Sequence, residues 1–449
     1  MHAKLRNLTE KVVASLWFMP TLLVSLACAA AAATLLIDER APTLGGLRPW
    51  LFGGTASAAR DLLAAIARSL ITVVALAFSV TIVAIQQAST QFSPRVIRNF
   101  MRDRGNQVVF GAYVATFVFA LLILRQVRDE QDGGGGFVPG LAVTTALLLA
   151  LICVGLLIYF IHHTAISLQV ATIGDNIRRE LREGIDRLYP DPLDVATQEE
   201  EPLVIPPPES AFRLVLSAPT AGFLRAVDAE LFLGTLAEEV QLAEVALPVG
   251  DYVFEGNPLA TLWSTRPLQR ETFEGSLAAF TIDRERSLNQ DILFGIRQLV
   301  DIALKALSPG INDPTTAEQC LSHLGDVVVQ LADRQFPSPS RQTRDRTTIL
   351  RLKQPGFGDI VAASFSQIRR EAAGDVHVTA HLLDLMAQIA PRLTVPDRRI
   401  ALRYEIREVL EALDTQAFTA SDTASLRMRA FAALDACTDA QEGTSSAHA

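Results

Sequence analysis

Four long apolar runs fill the first third of the chain, at about Val12 to Ile37, Leu62 to Gln87, Val108 to Leu124 and Leu141 to Ile166. Each is long enough to cross a hydrocarbon core of roughly 30 Å as a helix of about 20 residues. The pattern then turns amphipathic. Ile166, Val170, Ile173, Ile177, Leu181, Ile185 and Leu188 recur at steps of three and four with charges between them, which predicts a stalk helix continuing out of the fourth span. Its apolar stripe needs a partner, either the following domain or a neighbouring subunit.

Residues 189–210 are rich in Pro and acid and read as an extended connector. Short alternating runs punctuated by Gly250, Gly256 and Pro258 follow, predicting a small β domain over 211–265. From 280 to 435 the period is helical again, and 436–449 is a small, polar tail. The expected fold class is an α-helical membrane protein with four transmembrane helices (residues 1–166), a stalk (167–188) and a cytoplasmic α+β region in which a small β unit precedes a helical domain.

Composition supports the membrane reading: 49% of the 449 residues are hydrophobic and only 20% are charged. Basic residues alternate between loops. Lys4, Arg6 and Lys11 precede the first run, Arg95, Arg98, Arg102 and Arg104 lie between the second and third, and Arg178, Arg179, Arg182 and Arg187 follow the fourth. The positive-inside rule therefore places both termini in the cytoplasm. A cleaved signal peptide is the alternative for the first run, whose LACAAAAAT stretch resembles a cleavage region. The formal charge of −9 comes without any basic stripe carrying interleaved aromatics, so no nucleic-acid partner is expected.

The second run is the most polar of the four. Ser69, Thr72, Ser79, Gln86 and Thr90 step by three, seven, seven and four and so share one helical face. Two readings follow: small polar residues that permit close helix packing, or a water-filled pathway lined by one such helix from each subunit of a homo-oligomer.

In the last third, ALSPGINDPTTAEQC interrupts a helical pattern at residues 306–320. Gly310 suits a left-handed helix end, Asp313 an N-cap and Pro314 the first helical position. The same stretch gathers oxygen groups beside a helix N-terminus, which makes Asn312, Asp313 and Thr316 candidate ligand-binding residues for a small ion or ligand. A helix-to-helix joint is the plainer reading, because these residue types are also the expected caps.

Two resemblances extend these readings. PVGDYVFEGNPLATL resembles the turn-and-strand signature of barrel-sandwich domains such as lipoyl and biotinyl carriers. No lysine lies between Lys11 and Lys305, so a carrier's modified side chain is missing and only the architecture is implied. RSLNQDILFGIRQLVDIALKALSPGINDPTTAEQCLSHL, with LWFMPTLL and FSVTIVAIQQASTQFSPRVIRNFMRD, resembles a bacterial family of predicted membrane proteins of unknown function over nearly the whole chain. That resemblance implies an inner-membrane protein with its C-terminal half in the cytoplasm, and no activity.

Candidate chemistry is sparse. The sequence holds no GxxxxGK[ST], HExxH or GxSxG, and Gly133 to Gly136 form a flexible loop rather than a phosphate cradle. The four cysteines lack metal-ligand spacing, and His377 and His381, four apart, lack an evident third ligand. No catalytic residue, metal or cofactor is expected. Two functions remain open: a channel-like or transport-associated oligomer with a cytoplasmic regulatory domain, or a membrane-tethered sensor or scaffold whose spans only anchor it.

Overall fold

The computed structural model describes residues 17–40, 51–91, 104–129, 136–167, 169–190, 212–342, 348–416 and 418–439. The chain divides into two compact units, residues 1–172 and 173–449.

The first unit contains four helices long and apolar enough to cross a membrane: α1 (Phe18–Arg40), α2 (Ala56–Gln91), α3 (Arg104–Gln126) and α4 (Gly140–Ser167). Their centres agree with the apolar periodicity. Residues 12–16 of the expected first run lie outside the described residues. The third helix is central and packs against the other three. Gly111 makes its approach to α1 possible: a Cβ there would sit 2.7 Å from Leu23 Cδ1 and 3.1 Å from the Pro20 backbone. Phe110 stacks on Phe78 of α2 at 4.4 Å between ring centroids and meets Phe160 of α4 edge-on at 5.7 Å. At the opposite end of the bundle, Asp38 accepts hydrogen bonds from the backbone N–H groups of Leu141 and Ala142, at 3.1 and 3.0 Å. A carboxylate at that position satisfies orphan donors of α4 and complements its dipole. Leu148, Leu151, Ile152, Val154 and Ile158 of α4 are exposed, as expected of a face meant for lipid rather than for protein.

The second unit begins in the stalk helix α5 (Val170–Leu188). This helix is separate from α4 rather than its continuation. Gln169 N–H closes a tight turn on the Ile166 carbonyl at 3.0 Å, and the helical ladder restarts at Val170. Two sheets follow. One has the order β1 (Phe212–Ser217), β5 (Pro258–Ser264), β3 (Val240–Val245), β8 (Ile349–Arg351), β7 (Ser340–Gln342); the other is β4 (Tyr252–Val253), β2 (Gly222–Val227), β6 (Phe280–Asp283). The short helix α6 (Ala229–Thr235) contributes Phe232 to the core, beside Leu224, Val240 and Leu262. Gly250 and Gly256 both adopt positive φ, 101° and 80°, in the turns that flank β4. Strands β6, β7 and β8 come from beyond residue 265, so the β and helical segments interleave. Residues 340–342 pair with β8, while 343–347 lie outside the described residues.

The helical part comprises α7 (Ile292–Leu307), α8 (Pro314–Gln330), α9 (Phe357–Glu371), α10 (Val376–Ile389), α11 (Pro396–Leu413) and α12 (Ala420–Asp439). Arg398 on α11 donates to the carbonyls of Leu331, Ala332 and Arg334, and its guanidinium lies over the Phe336 and Phe357 rings. It thereby satisfies carbonyls at the C-cap of α8 and in the turn that follows it. Arg286 forks onto Asp291, the N-cap of α7, at 2.8 and 3.0 Å. Asp291 in turn lies where a Cβ on Gly250 would fall, which ties the β turn to the start of α7.

Candidate functional site

The α7–α8 corner follows from its own residues. Ser308 caps α7, its N–H and hydroxyl both donating to the Lys305 carbonyl. Asp313 caps α8: Oδ1 accepts from the Thr316 N–H at 3.2 Å and Oδ2 from the Thr316 hydroxyl at 2.6 Å. Its own N–H reaches back to the Ala306 carbonyl at 2.8 Å. The left-handed residue is Asn312, at φ 50°, and not Gly310 as the sequence suggests. Asn tolerates this region because its short polar side chain bonds locally. Of the three candidate ligand-binding residues, Asp313 and Thr316 are thus engaged with each other, and Asn312 is exposed beside them. Cys320, one helical stretch further, is buried; burial, and then the charge of Asp313, push its thiol up to about 12, far from a reactive thiolate.

The stalk docks along this pair of helices. Ile173, Ile177, Leu181 and Ile185 are buried. Leu181 packs onto Gly295 of α7, Arg178 pairs with Asp326 of α8 at 3.1 Å, and Arg334 pairs with Asp186 at 2.7 Å. A Cβ on Gly174 would lie 3.2 Å from the His323 ring, so glycine lets the imidazole close against the stalk. Burial, and then Arg178, hold His323 below the ordinary histidine range, while Asp175 and Asp326 pull the other way. The partner of the apolar stripe is therefore the chain's own helical domain.

On α2, Ser69, Thr72, Ser79 and Gln86 are all exposed, on the face opposite the buried Ala59, Ala77 and Ala84. The hydroxyls of Ser69, Thr72 and Ser79 each donate to the carbonyl four residues back, at 2.8, 3.0 and 2.9 Å. Thr90 is within the helix, but its side chain lies outside the described residues.

Periodicity missed a second polar row, buried between α3 and α4. Tyr113 donates to the Cys153 carbonyl at 3.2 Å, the Cys153 thiol lies 3.4 Å from Thr116 Oγ1, and Asn106, Gln107 and Thr164 are also buried. Its signal is faint: Asn106, Tyr113 and Thr116 step by seven and three inside an otherwise apolar run. Among the described residues no group of three His, Cys, Asp or Glu side chains is placed to hold a metal. His381 Nε2 instead meets the Ser322 hydroxyl at 3.0 Å.

The uncharacterized protein Rv1290c of Mycobacterium tuberculosis and the uncharacterized protein Mb1321c of Mycobacterium bovis are each 36% identical over 419 residues, which is 91% of this chain and 78% of theirs. No solved structure matches. The family model described as "Predicted membrane protein (DUF2254)" matches residues 13–388, and the chain belongs to that family.

Proposed function

We propose that this protein is a homo-oligomer of the bacterial inner membrane, channel-like or transport-associated, in which α2 of each subunit faces a common axis. In this reading Ser69, Thr72, Ser79, Gln86 and Thr90 line a pathway for a small ion. Both termini and the second unit are in the cytoplasm, as the alternation of basic loops requires, and the second unit regulates. Its β strands form a barrel-sandwich-like spacer.

The observation that carries the proposal is the direction of the α2 polar face, which turns away from the subunit's own bundle. The amide of Gln86 finds no hydrogen-bonding partner in hydrocarbon, and a polar face so placed is best satisfied by water or by another copy of the chain. The rival reading, spans that only anchor a sensor, draws on the same helix: Ser69, Thr72 and Ser79 satisfy their own hydroxyls on backbone carbonyls and so tolerate lipid. The corner over 308–316 serves in either case as the joint that orients α8 against the stalk, and Asn312 is the group there through which a ligand would bind.

The test is reconstitution of the full chain in liposomes. Monovalent-ion flux is expected under voltage, tension or acid pH, and Ser79→Leu or Gln86→Leu should abolish it. Absence of flux under all three stimuli would leave the anchoring reading.

A further inference from the structure

Nine Ser and Thr side chains on α1, α2 and α4 place the hydroxyl on the carbonyl four residues earlier, Thr21, Ser25, Thr34, Ser69, Thr72, Ser79, Thr81, Thr144 and Thr145. Thr164, near the end of α4, does not: its hydroxyl is buried and meets no protein hydrogen-bond partner. The side-chain oxygen Oδ1 of Asn106, in the first turn of α3, is in the same condition. Both residues are only 4% exposed.

The helix register sets these two residues at one level of the bundle. Phe110 and Phe160 are in ring contact, α3 and α4 run antiparallel, and Asn106 and Thr164 each lie four residues from one of those rings toward the same end of the bundle. One turn along a helix returns to nearly the same face, so the register sets Asn106 and Thr164 at about one level, on the sides of α3 and α4 that carry Phe110 and Phe160. Phe110, also stacked on Phe78, closes the layer between them and the Tyr113–Cys153–Thr116 contacts. Two buried polar atoms without a protein partner thus lie on the same side of that aromatic layer.

We infer that Asn106 and Thr164 bind water at the end of the bundle where α3 begins and α4 ends, forming a hydrated inlet that stops at Phe110 and Phe160. The chemistry of the site selects a neutral guest. Asn106 stands in the first turn of α3, where the helix dipole is positive and opposes a cation; Thr164 stands in the last turn of α4, where the dipole is negative and opposes an anion. Water donates to Asn106 Oδ1 and exchanges either role with the Thr164 hydroxyl, and bridging otherwise unsatisfied buried polar groups is what internal water does. A dry pair would instead carry the full desolvation cost of both groups. The inference is independent of the α2 pathway, because it concerns the interior of one subunit.

Water-edited solid-state NMR on the full-length protein in lipid bilayers tests it directly. Magnetisation from water should reach the Asn106 side-chain amide and Thr164 as fast as it reaches exposed loops, and reach Thr116, beyond the aromatic layer, much more slowly. Equally slow transfer to Asn106, Thr164 and Thr116 would overturn the inlet. A double-mutant cycle gives a second readout. Asn106→Leu and Thr164→Val should each lower the melting temperature, whereas the double variant should melt close to the parent, because removing both polar groups removes the need for a bridge. Strictly additive losses would count against a shared guest. Exchanging sodium for choline should leave the melt unchanged; a shift there would make the guest a cation and overturn the assignment to water.

Discussion

Asn312 holds a left-handed backbone, φ 50°, which non-glycine residues seldom adopt. The phrase SPGINDP announces a helix end and a helix start, and both are present, with Asp313 as N-cap and Pro314 in the first turn. What could not be read was which residue carries the left-handed backbone. Gly310 is the better residue by intrinsic preference, yet the chain places Asn312 at φ 50°, because the Asn312 and Asp313 N–H groups must reach the Ser308 and Ala306 carbonyls. Asn312→Gly should therefore match or exceed the parent in thermal melts, whereas the β-branched Asn312→Val should lose about 1–2 kcal/mol. Asp313→Ala removes the carboxylate that holds both the N–H and the hydroxyl of Thr316, and should cost about 0.5–2 kcal/mol by denaturant titration of the full chain in detergent. If Asp313→Ala abolishes binding of a specific ion while leaving the melt intact, the corner is a site and not a joint.

At the scale of elements, α5 buries its apolar face and α2 exposes its polar one. The stripe of α5 was legible as an amphipathic helix, but its partner was not, since a three-and-four period says only that a face is buried and not against what. Gly295 settles the geometry: a Cβ there would fall 2.5 Å from Leu288 Cδ2 and 2.6 Å from Leu181 Cδ2. Gly295→Val should overpack the seam and cost about 1–3 kcal/mol, read as a lower melting temperature and faster proteolysis of the stalk. His323 adds a pH dependence to the same seam. Its pKa lies below the ordinary 6.5, through burial first and Arg178 second, so the docked state disfavours the proton. The stabilisation is complete above pH 6.5 and is lost as the pH falls through the lower folded value. The melting temperature should accordingly drop on acidification, and His323→Gln should flatten that part of the profile. For α2 the sequence period does not say which way the polar residues turn; packing leaves Ser69, Thr72, Ser79 and Gln86 exposed.

For the whole molecule, the proposed oligomer carries its own expectation. If copies meet along α2, Gln86→Leu should shift the assembled species toward smaller ones by native mass spectrometry while the melt of the subunit stays in place; an unchanged assembly would place the contact elsewhere. The sequence by itself determined the four apolar helices, the amphipathic stalk, the capped corner and the family, because each depends on periodicity or on short local phrases. Only the tertiary structure decided that α3 is the central helix, that α5 lies on α7 and α8, that β6 and β8 join strands far upstream, and that Asn106 and Thr164 each bury a polar atom without a protein partner. The physical reason is that a helix or strand pattern records how much of each face is buried, whereas the identity of the covering surface comes from contacts between residues far apart in the chain. Local steric and hydrogen-bonding preferences carry no information about those contacts.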